Sequence, residues 1–189
     1  MNDVRYVWFD LDDTLLDHKG AESRALAALW EAHPHFFGDA THGDLLTAYA
    51  RVNRRVWSEY AAGKRTKDGA KYGRFELLIE DVNPSAAPHA AALADEYLRL
   101  YAQHWSWVDG AGNALMRIAA HLPIGLMTNG FTEVQRAKLR QFPELGHACA
   151  HIVVSEEVGV LKPDVRLFRH AEQLCGHTAH HLLYVGDSL

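Results

Sequence analysis

Tyr6-Val7-Trp8-Phe9-Asp10-Leu11-Asp12-Asp13-Thr14 opens as a short apolar, aromatic and β-branched run and stops abruptly in acids. Tyr6 to Phe9 predicts a buried strand. Asp10 and Asp12 are two apart, so a chain still extended there points both carboxylates to one side. Asp13 then points the other way and reads as a local backbone acceptor, and Thr14 as a residue that bonds the turn. Taken alone, these acids are equally well explained as turn or cap residues. The rest of the chain has to decide.

Working outward, the pattern from about Asp17 to about Trp105 is helical. Leu26, Leu29 and Trp30 fall at i, i+3, i+4. Leu45, Tyr49, Val52, Val56 and Tyr60 hold one face, as do Phe75, Leu78, Ile79 and Val82, and then Leu93, Tyr97 and Leu100. Pro34, Gly38, Gly63, Gly69, Gly73, Pro84 and Pro88 break these runs. After Trp107-Val108-Asp109-Gly110 the character changes. Ala114 to His121, Thr132 to Phe142 and Asp164 to Cys175 read as helices, the last stopped by Gly176. Pro123 to Met127, Ile152 to Val154 and Leu182 to Val185 read as strands. Alternating strands and helices imply an α/β fold, a Rossmann-like parallel sheet covered on both faces. The first strand belongs to that sheet, so the helical block is an insertion. The expected division is a core of residues 1–16 and 106–189 and a helical cap of residues 17–105.

In an open parallel sheet, ligands bind beyond the carboxyl ends of the strands. Those ends carry Asp10 to Thr14, Thr128-Asn129-Gly130, Gly159-Val160-Leu161-Lys162-Pro163-Asp164 after a loop, and Gly186-Asp187-Ser188. Asp10, Asp12 and Asp187 put three acids at one sheet edge, and crowded anions need a cation or a proton between them. Few oxygen ligands plus water suit Mg²⁺. Lys162, the Thr128 hydroxyl and main-chain N–H groups near Asn129 and Gly130 can hold an anion. Metal, lysine and hydroxyl around an exposed carboxylate suit phosphoryl transfer.

Composition narrows the classes. The 189 residues are 48% hydrophobic and 23% charged, with a formal net charge of −5. That balance is globular, long enough for a sizeable core, and unsuited to broad nucleic-acid or anionic-membrane binding. Cys149 and Cys175 are too few for a disulfide framework; one bridge is open to them, and free thiols in a reducing cytosol are the expectation. The charged N-terminus and the short apolar run predict neither a signal peptide nor a membrane span, hence a cytoplasmic protein.

Four short motifs in order, each after a predicted strand, resemble the haloacid dehalogenase-like hydrolase superfamily. They are Asp-x-Asp-x-Thr at Asp10 to Thr14, Thr-Asn-Gly at Thr128 to Gly130, Lys-Pro at Lys162-Pro163 and Gly-Asp-Ser at Gly186 to Ser188. Many members of that superfamily carry a helical cap at the position of the insertion. Phe9 to Leu15, Thr128 to Phe131 and Arg74-Phe75 are similar to the YjjG-like pyrimidine 5′-nucleotidase branch. The resemblance implies Asp10 as nucleophile and Asp12 as acid and base. It implies Mg²⁺ on the Asp10 carboxylate, the Asp12 carbonyl and Asp187, and phosphate on Thr128, Asn129 and Lys162. The implied activity is a Mg²⁺-dependent phosphomonoester hydrolase with an aspartyl-phosphate intermediate. Its partner is a small phosphorylated metabolite, such as a pyrimidine nucleoside monophosphate, a sugar phosphate or a phosphoglycolate-type compound. A monomer or homodimer is expected. The superfamily usually continues past motif four with a second acid, a strand and helices, while this sequence ends at Leu189. The expectation is therefore a longer native protein with the C-terminal part of its core missing here. An inactive truncated core is the alternative.

Other readings stand beside these. A dehalogenase is disfavoured by Asp12, because a leaving halide needs no proton whereas an alkoxide does. A phosphoacceptor signalling domain would need a separate acceptor Asp at a middle strand end. The basic residues Arg51, Arg54, Arg55, Lys64, Arg65, Lys67, Lys71 and Arg74 read as solvated helix faces, with Arg74 the one to face a cleft. His147-Ala148-Cys149-Ala150-His151 lacks a fourth ligand at zinc-like spacing and reads as ordinary loop and strand. Asp164 reads as an N-cap, and Trp105 and Trp107 as packing where cap meets core.

Overall fold

The computed structural model describes residues 3–187; Ser188 of the fourth motif and Leu189 lie outside the described residues. Two compact units emerge, Lys19–His104 and the pair of segments Met1–His18 and Trp105–Leu189. The first strand, β1 (Tyr6–Phe9), is followed by four helices: α1 (His18–Ala32), α2 (His42–Ala61), α3 (Lys67–Val82) and α4 (Ala90–Gln103). The remainder runs α5 (Ala111–Ala119), β2 (Ile124–Thr128), α6 (Thr132–Gln141), α7 (Pro143–Ala148), β3 (Cys149–Val154), α8 (Ser155–Val158), α9 (Val165–Cys175) and β4 (Leu182–Val185).

In the helical unit, local chemistry sets the helix starts. Thr41 caps α2: its hydroxyl accepts from Asp44 N at 3.2 Å, and the Asp44 carboxylate accepts from Thr41 N at 3.0 Å. Thr66 caps α3 through Gly69 N. The apolar stripes then bury Leu45, Tyr49, Val52 and Val56 of α2 with Phe75, Leu78 and Ile79 of α3 and Leu93 and Tyr97 of α4. Arg74 departs from expectation. Read as the basic residue turned to a cleft, it is buried within the helical unit. Its guanidinium donates to the Tyr49 hydroxyl and the Lys71 carbonyl and lies 5.7 Å from the centre of the Tyr97 ring. A buried charge needs such partners. Others of the basic stretch pair with acids of their own unit: Arg51 with Asp81, and Arg55 and Arg65 with Glu59.

The other unit is an α/β layer. Its four strands are all parallel in the order β3-β2-β1-β4. Alternation along β1 sends Val7 and Phe9 to one face, where they pack with Leu115 of α5 and Leu145 of α7, and Tyr6 and Trp8 to the other, with Leu167 and Ala171 of α9. Both β1 neighbours come from later in the chain, and β2 and β4 lie on opposite sides of it. The carboxyl end of β1 is therefore the crevice where connections diverge, the place for a ligand in such sheets. Trp107 packs edge-on to Phe142 and joins the face of Val7 and Phe9. Three elements differ from expectation. The short helix α8 stands where the sequence reads as a loop. α7 was not foreseen, and β3 begins at Cys149 rather than Ile152. Pro143 supplies a helix start directly after α6, and the first half of β3 is mixed in polarity. Among the described residues, no helix is long and apolar enough to cross a membrane.

Candidate active site

The β1 ladder ends where Asp10 N donates to Val185 O, and the chain then leaves the sheet. Asp13 takes a left-handed backbone (φ 57°), which Asp tolerates better than most residues, and its N–H closes onto Leu16 O. That turn sends the carboxylates of Asp10 and Asp12 to different partners.

Asp10 is 6% exposed. One of its oxygens accepts from Leu11 N at 2.7 Å, and the other pairs with Lys162 Nζ at 2.6 Å. Burial pushes its carboxyl above the usual range, and the Lys162 ammonium offsets only part of that rise. Lys162 Nζ also donates to the Tyr184 hydroxyl at 2.8 Å. Burial, and then the Asp10 charge, hold that phenol protonated well above its ordinary pKa. Sequence reasoning left Tyr184 as a strand residue. Its alternation along β4, opposite Trp8 of β1, was the available signal.

Asp12 is held by α6. Lys138 Nζ lies 2.5 Å from one oxygen and Gln135 Nε2 lies 2.9 Å from the other. Burial opposes the charge on Asp12. Lys138, His18 and the Gln135 bond outweigh it and hold the carboxyl below its ordinary range. Both α6 residues were missed, because a Gln and a Lys on an amphipathic helix read as solvated. Yet Gln135 is 2% and Lys138 1% exposed. Their i, i+3 spacing directly after Thr-Asn-Gly was the only clue.

Thr128 ends β2, buried, and its hydroxyl accepts from Gln135 Nε2 at 3.0 Å. The Asn129 side chain is engaged at both ends by the Lys162 main chain: its oxygen accepts from Lys162 N at 2.8 Å and its amide donates to Lys162 O at 3.1 Å. Asn129 thus staples the second motif to the third. Gly130 N donates to Ser155 Oγ at 3.3 Å. Asp187 follows β4, and its N–H donates to the Thr14 hydroxyl at 3.0 Å. Thr14 therefore ties the first motif to the fourth rather than bonding its own turn.

The strand-end segments are tied together through Asp10–Lys162, Asn129–Lys162 and Thr14–Asp187. Among the described residues, no group of three His, Cys, Asp or Glu side chains could hold a metal ion. The Asp12 carboxylate is engaged by α6, and the expected metal set draws on its main-chain carbonyl. His151, from the histidine-rich stretch, meets the Tyr6 hydroxyl at 2.9 Å instead.

The chain is 30% identical to the HAD-hydrolase YfnB of Bacillus subtilis over 193 aligned residues, covering 100% of this chain and 78% of that protein. A crystal structure of YfnB, described as magnesium-bound and as revealing interdomain movement, superposes with a TM-score of 0.84 over 98% of this chain and 80% of that one. The pyrimidine 5′-nucleotidase YjjG of Escherichia coli is 31% identical over 74% of this chain and 60% of its own length. An (S)-2-haloacid dehalogenase of Pseudomonas putida is 27% identical over 100% of this chain and 78% of that enzyme. The model of the haloacid dehalogenase-like hydrolases matches residues 4–189. With that match and the likeness to YfnB, the chain belongs to the haloacid dehalogenase-like hydrolase family.

Proposed function

We propose that this hydrolase is a Mg²⁺-dependent phosphomonoesterase that works through a phosphoryl group on Asp10, with pyrimidine nucleoside 5′-monophosphates as its substrates. The observation that carries the reading is the Asp10–Lys162 pair at the end of the central strand, with a second carboxylate, Asp12, two residues away on its own partners.

The donor chemistry fits a hard divalent ion. The carboxylates of Asp10 and Asp187 and the Asp12 main-chain carbonyl are all oxygen, and so few protein ligands leave positions for water and phosphate, as Mg²⁺ prefers. The raised carboxyl of Asp10 fits too, since one lysine does not fully offset its burial. When bound, the ion neutralises phosphate charge and keeps Asp10 ionised.

The Asp10 carboxylate attacks phosphorus, and the bond from phosphorus to the ester oxygen breaks. Lys162 and the Thr128 hydroxyl hold the phosphoryl oxygens. Asp12, protonated, gives its proton to the departing alkoxide. A substrate dianion beside Asp10 adds negative charge near Asp12 and favours that protonated form. Asp12, now a carboxylate, takes a proton from water as that water attacks the phosphoryl-aspartate. Inorganic phosphate leaves and Asp10 is restored. In the resting site, Lys138 and Gln135 hold Asp12 in this carboxylate form.

Asp12 separates this reading from dehalogenation, because halide departs without a proton. The relationship to YjjG, a pyrimidine 5′-nucleotidase, supports the substrate class. The test is phosphate release from a panel of nucleoside 5′-monophosphates, sugar phosphates and 2-haloacids, with and without Mg²⁺. The expected result is Mg²⁺-dependent release, fastest from the pyrimidine nucleotides. Halide release without phosphatase activity would contradict the reading.

A further inference from the structure

The α6 residues that hold Asp12 are not assigned a role by the four motifs. Lys138 is a lysine in the protein interior, its ammonium against Asp12 and 5.7 Å from the centre of the Trp105 ring. Such burial is costly and persists where the partner geometry is good. Gln135 Nε2 faces three acceptors: Asp12 at 2.9 Å, Thr128 Oγ1 at 3.0 Å and Asn129 O at 2.8 Å. Its own oxygen is buried with no hydrogen-bond donor among the described residues. A buried amide oxygen without a donor is an exception among native structures that calls for an explanation. The backbone makes room for it. Gly130 has a φ of 150°, and a Cβ there would lie 2.5 Å from Gln135 Nε2. The glycine of Thr-Asn-Gly thus serves the glutamine five residues later.

We propose that Lys138 and Gln135 are positioning residues that fix the Asp12 carboxylate in register with Thr128, so that the proton donor and the phosphate-binding hydroxyl are set by one helix. The inference rests on the acid/base reading of Asp12. A carboxylate free to rotate about its own side-chain bonds would seldom face the ester oxygen, and small misplacements of a reacting group cost about 10²-fold in rate. Two donors, one on each oxygen, remove that freedom. The rival is that the Lys138–Asp12 pair is only a staple joining α6 to the turn after β1.

The two differ in how the loss depends on the leaving group. A misplaced proton donor slows expulsion of a poor leaving group far more than that of a good one; a loosened fold slows both alike. The experiment measures kcat and KM of the wild type, Lys138→Met, Gln135→Met and Asp12→Asn on ethyl phosphate and on 4-nitrophenyl phosphate. Thermal melting confirms that each variant is folded. The expected result is a fall of about 10²-fold in kcat on ethyl phosphate for Lys138→Met, with a much smaller fall on 4-nitrophenyl phosphate and KM unchanged. Gln135→Met follows the same pattern more weakly and decides the matter should Lys138→Met fail to fold. Equal losses on both substrates, or no loss, while Asp12→Asn retains the split, would overturn the positioning role and leave the acid/base reading intact. An Asp12→Asn variant without the split would overturn that reading and the inference with it.

Discussion

Two carboxylates two residues apart sit in different electrostatic surroundings because their neighbours differ. Asp10 faces one lysine from a loop and carries a raised carboxyl, whereas Asp12 faces a lysine and an amide from a helix and carries a lowered one. Asp12→Asn is expected to lower turnover of alkyl phosphates by about 10²–10⁴-fold, measured as steady-state phosphate release. The two thiols give an independent check on burial. Cys149 is buried and its thiol is pushed up to about 12 by desolvation, while Cys175 is partly exposed. At pH 8, Cys149 stays a neutral thiol, so a thiolate-selective reagent is expected to modify Cys175 first, read by peptide mass mapping. Modification of Cys149 at the same rate would contradict its placement. At this scale the strand-end placement of Asp10, Asp12 and Thr128 and the motif position of Lys162 were legible, because each lies at the end of an apolar run or in a motif. Lys138, Gln135 and Tyr184 were not, because their roles come from partners distant in sequence.

The elements are set by local signals that the structure reproduces closely. Gly176 ends α9 in the left-handed region, and Asp164 begins it by accepting from Arg166 N at 2.8 Å. The Asp164 carboxyl is held down to about 2 by its side-chain bond with Arg166 and that main-chain bond. Its folded pKa lies below the unfolded value, so its stabilising contribution is present above about pH 4 and is lost as pH falls towards 2. Asp164→Ala is therefore expected to lower Tm at pH 7. The gap from wild type should narrow on acidification, read by thermal melts across that range. A gap independent of pH would contradict the cap. What escaped the sequence reading was also local. α7 occupies six residues, too few to show a helical period. The first turns of β3 alternate Cys149, Ala150 and His151, and the strand is defined there by pairing with β2. Arg74 reads as the basic residue turned to a cleft, and in the structure Tyr49 and Tyr97 of neighbouring helices engage its guanidinium.

For the whole molecule, the sheet matters because it brings four separate motifs to one edge. Leu126 of β2 is fully buried beside Val7 and Phe9. Leu126→Ala is expected to cost about 2–5 kcal/mol, measured by denaturant unfolding, and to lower activity only as far as it lowers the folded fraction. The parallel order and the inserted helical segment were readable from the alternation of strand and helix, because each strand is a compact apolar run. The separate anchoring of the two carboxylates was not, since it depends on how α6 lies against the turn after β1. The central claim is that Asp10 carries the phosphoryl group during turnover. The most direct test is acid quenching of the enzyme in the presence of Mg²⁺ and a phosphomonoester, followed by intact-mass analysis and peptide mapping. The expected result is one added phosphoryl group on the peptide bearing Asp10, more of it in Asp12→Asn and none in Asp10→Asn. Sustained turnover by Asp10→Asn, or a phosphoryl group found on another residue, would contradict it.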